Sequence, residues 1–135
     1  MALPVTALYA ALLGLLHAAL TLLVVLGRGR SGVMLGTEED KGLFRAVRAH
    51  ANFAEYVPLI LLLMGLGEGL KLSALLLHMA GAGLVLGRVL HAVGISREPD
   101  LGAARVGGTV LTVSVLIVAS LAVLGRALTA MAVLG

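Results

Sequence analysis

Four apolar stretches, each about as long as a bilayer core is thick, take up most of this chain and leave little choice of fold. Roughly 20 consecutive apolar residues cross membrane hydrocarbon as a helix, and such runs fall at about 5–26, 43–66, 72–93 and 104–124. Apolar sequence continues past the fourth run to residue 134. The runs are continuous, whereas the strands of a membrane barrel alternate apolar and polar residues. Of the 135 residues 60% are apolar, and mean hydropathy is +1.09. The expected fold class is therefore all-α: a single integral membrane domain, residues 1–135, built as a four-helix bundle. The first run is longer than the apolar region of a cleaved signal, and no Lys or Arg precedes it, so it is read as a retained span.

The connections set the arrangement. The first loop holds "GTEEDKG" (36–42), a polar, solvated linker, and the third is "GISREPDLG" (94–102). Between spans two and three only "GLGEGLK" (65–71) intervenes. A link that short makes its two helices antiparallel neighbours. Small residues crowd "HMAGAGLVLG" (78–87) and "RVGGTVLTVS" (105–114). They read as places where membrane helices approach closely. Pro58, inside span two, removes a backbone donor and predicts a local kink after Glu55.

Charge bounds both topology and function. The formal net charge is +3 and the sequence pI is about 10.0. A basic balance can mean nucleic acid, but these residues sit at helix ends, and with no Trp and 3% aromatics stacking platforms for bases are missing. Nucleic-acid binding is not expected. Arg28, Arg30, Lys41, Arg45, Arg48, Arg97 and Arg105 flank loops one and three, against Lys71 and Arg126 on the other side. By the positive-inside rule, loops one and three are cytoplasmic and both termini are outside. There is no cysteine, hence no disulfide framework and no thiolate ligand or nucleophile. His50, His78 and His91 share no ligand spacing, so no metal site is expected. His17 and His78, each alone on an apolar helix, read as hydrogen bonders at helix contacts.

Span two carries the chemistry. Taken at ~100° per residue, Arg45, Arg48, Asn52, Glu55 and Tyr56 fall within an arc of roughly 100°, with His50 on another face. Each ionisable group costs about 2.5–3.5 kcal/mol in a bilayer on insertion scales, so the stripe must face protein or a wet cavity. Either it locks helices together, with Asn52 as a bridging group, or it binds a small anionic or zwitterionic molecule from the cytoplasmic side. Arg can fork onto a carboxylate and Glu can accept from an ammonium. Span three adds Arg88 and His91 near the same end, and span four begins with Arg105. The excess of Arg over acid favours an anionic ligand.

These residues resemble a known family. "RAHANFAEYVP" (48–58) is similar to the second-helix motif of the MAPEG family, the membrane-associated proteins in eicosanoid and glutathione metabolism. Arg48, His50, Asn52, Glu55 and Pro58 match its R-x-H-x-N-x-x-E pattern with a following Pro. "RVLH" (88–91) matches the third helix. The likeness is nearest to a small bacterial branch of the family, which implies the bacterial inner membrane. The resemblance further implies a homotrimer that binds glutathione between neighbouring subunits at the cytoplasmic face. Arg48, Asn52 and Glu55 would then hold the charged ends of glutathione. Arg45 lies on the same stripe, Tyr56 would add a hydroxyl, and Arg88 and His91 would line or brace the pocket. Arg105 would be catalytic, stabilising the thiolate. Small lipophilic electrophiles or lipid hydroperoxides would be the substrates, reached from membrane lipid. The family's enzymes often carry Tyr late in helix three and early in helix four. Here those stretches read "HAVGIS" and "RVGGTVLT", and the tyrosines are Tyr9 and Tyr56.

Two other readings use the same residues. One is a non-catalytic membrane protein that binds another small anion. Transport is disfavoured, because no polar row joins Glu55 to Glu68 and Lys71. The other is a structural trimer whose polar cluster only locks assembly.

Overall fold

A computed structural model of the protein describes residues 2–37, 39–97, 99 and 101–134. Glu38 in the first polar linker and Glu98 and Asp100 in the third lie outside the described residues. Four helices follow in order: α1 (Pro4–Ser31), α2 (Lys41–Gly69), α3 (Ala74–Ser96) and α4 (Gly102–Leu134). All four are long and apolar enough to cross a membrane. α1, α2 and α4 extend past their apolar runs at both ends, while α3 starts and ends later than its run; side-chain and glycine caps close several of these ends. Gly32 ends α1 in the left-handed conformation (φ 72°), donating to Arg28 O at 2.9 Å. Asp40 Oδ1 accepts from Leu43 N at 2.8 Å to start α2. Ser73 Oγ accepts from Leu76 N at 3.3 Å to start α3. Pro58 does not end α2, which continues to Gly69.

Two further ends are closed by other helices. Pro4 opens α1, where its missing N–H costs nothing, but Leu3 supplies no side-chain cap. Instead the α2 carboxylate of Glu68 accepts from Val5 N at 2.9 Å and Thr6 N at 2.8 Å. At the C-terminus of α2, Arg126 of α4 donates to Leu70 O from Nη2 at 2.7 Å and from Nε at 3.0 Å. Acid thus meets a helix N-terminus and base a C-terminus, as the helix dipoles favour.

In the packing, α2 and α3 form the middle pair, with α1 and α4 on opposite sides. Leu13, Phe53, Ile60, Met64, Leu77 and Leu84 make the buried centre, while the leucines and valines of the outer faces are exposed, as lipid contact requires. The α3–α4 contact is close because two glycines meet. A Cβ on Gly87 would stand 2.7 Å from Thr112 Oγ1 and 3.0 Å from Gly108 O, and one on Gly108 would stand 2.6 Å from His91 N. That approach delivers α4 hydroxyls to α3 side chains.

The isolated histidines differ from one another. Tyr9 Oη lies 3.1 Å from His78 Nδ1, a hydrogen bond between α1 and α3. His17 does not make the expected side-chain bond among the described residues: its Nδ1 is buried without a partner there. Its ring lies against Phe53, with centroids 5.0 Å apart, and against His50 at 4.7 Å. The α1–α2 contact presents ring faces to it rather than polar atoms.

Candidate functional site

The site lies where α2 and α4 begin and α3 ends. Its floor is Arg88, a guanidinium only 2% exposed. A buried charge must be hydrogen-bonded, and four bonds from three of its nitrogens meet that need. Nη1 donates to Asn52 Oδ1 at 2.6 Å and to Asn52 O at 3.3 Å. Nε and Nη2 donate to Thr112 Oγ1 at 3.0 and 2.8 Å. Thr112 passes its own proton to Gly108 O at 2.8 Å. The Tyr56 ring lies beneath the guanidinium, 5.6 Å from Cζ to centroid, a cation–π contact. All these partners are neutral, so Arg88 keeps its positive charge unneutralised at the centre of three helices.

Above this floor opens a cleft of about 500 Å³. Phe44, Arg48 and Asn52 line it from α2, His91 and Ile95 from α3, and Arg105, Val106, Thr109 and Val110 from α4. Among the described residues that line it are two arginines and no carboxylate. Arg48 is exposed and makes no hydrogen bond or ion pair within the described residues. His91 is buried; its Nδ1 lies 2.9 Å from Thr109 Oγ1 and 3.3 Å from Arg105 O. Thr109 donates its proton to Arg105 O at 3.1 Å, so Nδ1 is assigned the ring hydrogen. Nε2 of the neutral ring is then an acceptor, and it is buried with no partner among the described residues. The described lining therefore combines two arginines with one acceptor that has no partner among the described residues.

Arg48, Asn52, His91 and Arg105 meet in this cleft. Arg88 and Tyr56 lie behind it as support. Arg45 turns to the end of α3, where Nη1 donates to Arg97 O at 3.2 Å, and lines a different cleft. Glu55 is exposed, outside the cleft lining, and makes no hydrogen bond or ion pair within the described residues. Thr109 and Thr112 are the polar groups that sequence reasoning missed. Their signal was two hydroxyls three residues apart on an apolar helix, directly after the Gly-Gly pair.

Helix lengths, apolar exteriors and a cationic cleft at one end define an integral membrane four-helix protein with a polar site near one membrane face. The model of the MAPEG family matches residues 6–125, and the chain belongs to that family. None of the curated proteins matches it.

Proposed function

We propose that this MAPEG protein binds glutathione, or a related thiol, in the Arg48–Arg105 cleft and presents it to lipophilic electrophiles or hydroperoxides that arrive through the bilayer. One observation carries the reading: a cleft whose described lining holds Arg48, Arg105 and a buried acceptor on His91 that has no partner among the described residues. An anionic peptide complements that set. Its carboxylates suit the guanidinium of Arg48, and an amide N–H suits His91 Nε2. Glutathione supplies the thiol nucleophile when bound. Arg105 favours its thiolate form, since a neighbouring guanidinium lowers a thiol pKa. Arg88 adds positive potential from below and holds Asn52 in place.

The proposed assembly is the family's homotrimer, in a bacterial inner membrane with the Arg48 end cytoplasmic. Exposed Arg48 and Glu55 support it. They lie on a face of α2 that continues through exposed Leu59, Leu62 and Leu66. Charges on a membrane helix face protein or water rather than lipid, and a neighbouring subunit would cover them and complete the cleft. The same observation supports the structural reading, in which the stripe only locks the trimer. Glutathione thiolate absorbance in the purified protein separates the two. Thiolate that forms in wild type and is lost in Arg105→Ala, with glutathione still bound, supports the thiol reading. No thiolate in wild type refutes thiol activation.

A further inference from the structure

The hydroxyl of Thr109 joins two residues of the site. Its Oγ1 donates to Arg105 O, one turn back on α4, at 3.1 Å, and lies 2.9 Å from His91 Nδ1 on α3. The same carbonyl lies 3.3 Å from His91 Nδ1. A carbonyl oxygen cannot donate, and the single proton of the hydroxyl is already given to it. Both contacts therefore require the ring hydrogen on Nδ1. Thr109 is the stronger of the two partners, because 3.3 Å lies beyond the usual range of an N–H···O bond. In free neutral histidine the hydrogen rests mainly on Nε2, so the Nδ1–H form has to be held by its surroundings. That choice decides what the cleft presents. His91 is 7% exposed, its ring lines the cleft, and Nε2 has no partner among the described residues. With the hydrogen on Nδ1, Nε2 is a bare acceptor; in the other form the same atom would be a donor. A doubly protonated ring would bury a charge together with an unpaired N–H, which burial disfavours.

We propose that Thr109 is a positioning residue: it holds His91 in the Nδ1–H form, so that the cleft reads its ligand through a neutral acceptor at Nε2. Thr109 itself touches no reacting atom and acts through His91. The class of ligand narrows accordingly. A guanidinium takes carboxylates of any origin, but Nε2 asks for an N–H donor on the same molecule. A peptide carries both, a carboxylate and an amide N–H. A fatty carboxylate brings only the anion and gains nothing at Nε2. The identity of the ligand rests on the thiol reading, whereas the hydrogen on Nδ1 is a property of the protein itself, so the two can fail separately.

The test is solid-state nitrogen NMR of the full chain, with isotope-labelled histidine, assembled in lipid and without ligand. His91→Gln identifies the His91 signals among the four histidines. The wild type should show a protonated, pyrrole-type Nδ1 and an unprotonated, pyridine-type Nε2. Thr109→Val, which removes the hydroxyl, should move part of the ring population to the Nε2–H form, and Thr109→Ser should restore the wild-type spectrum. Glutathione should bind Thr109→Val about twofold or more weakly, as the competent share of His91 falls to half or less, and should regain its affinity in Thr109→Ser. A hydrogen on Nε2 in the wild type, or an unchanged spectrum in Thr109→Val, would overturn the proposal. The wild-type spectrum needs no change at Thr109, so refutation stays open even where Thr109→Val does not assemble. A shifted spectrum in Thr109→Val with undiminished glutathione affinity would overturn the reading of ligand through Nε2. Glutathione that fails to bind a wild type with the expected spectrum would overturn the thiol reading and leave the hold of Thr109 on His91 supported.

Discussion

Arg88 Nη1 donates to Asn52 Oδ1 at 2.6 Å, and this bond fixes the face of α2 that carries Arg48 against the end of α3. The same guanidinium reaches Thr112 on α4. One buried side chain therefore sets the relative positions of the three helices whose residues line the cleft. Its partners are all neutral, so it also supplies charge to the site it braces.

Removing one partner leaves the other buried and unsatisfied. Asn52→Leu should cost about 1–3 kcal/mol, the cost of an orphaned buried polar group. Arg88→Met in the same chain should recover much of that loss, because an apolar pair is no longer a broken polar one. A double-mutant cycle read by unfolding in detergent measures the coupling. Additive losses would mean that the bond holds nothing together.

The α3–α4 contact depends on the absence of a side chain at residue 108. A Cβ there would press on His91 N at 2.6 Å, which is backbone and cannot rotate away. Gly108→Ala should destabilise the bundle by about 1–3 kcal/mol, the usual cost of overpacking. Gly107→Ala, with nothing within 4 Å, should be nearly neutral, and thermal unfolding of the two variants gives the comparison.

At the opposite end of the bundle, Glu68 acts as the missing N-cap of α1. Glu68→Ala should cost about 1 kcal/mol, as loss of a cap does. The effect should concentrate in α1, so hydrogen exchange should rise at Val5 and Thr6 and stay unchanged near Arg88.

How much of this was legible beforehand follows from what a single helix can reveal. Uninterrupted hydropathy reports each span, so four helices and their membrane character could be read directly. The 3.6-residue period reports direction around α2, so the polar stripe could be read as well. It does not report which neighbour each direction meets. Glu55 and Arg48, on one edge of the arc, face outward; Asn52 meets Arg88; Tyr56, on the far edge, lies under that guanidinium. Arg45 lies about 60° from Arg48, which is enough to carry it to the other side of the α3 terminus. Thr112 could not be singled out in sequence, because its role exists only where Gly87 and Gly108 bring two helices together. Glu68 was visible as a charge at a helix end, but its target is 62 residues away in sequence.

The central claim is that Arg48 holds an anionic thiol peptide in the cleft above Arg88. Isothermal titration of glutathione into the protein, in a detergent that keeps it assembled, tests that claim most directly, with Arg48→Ala beside it. The predicted result is binding to the wild type that weakens by roughly tenfold or more in the variant, as loss of a charge-assisted contact requires. No binding to the wild type, or equal affinity in both proteins, would contradict it.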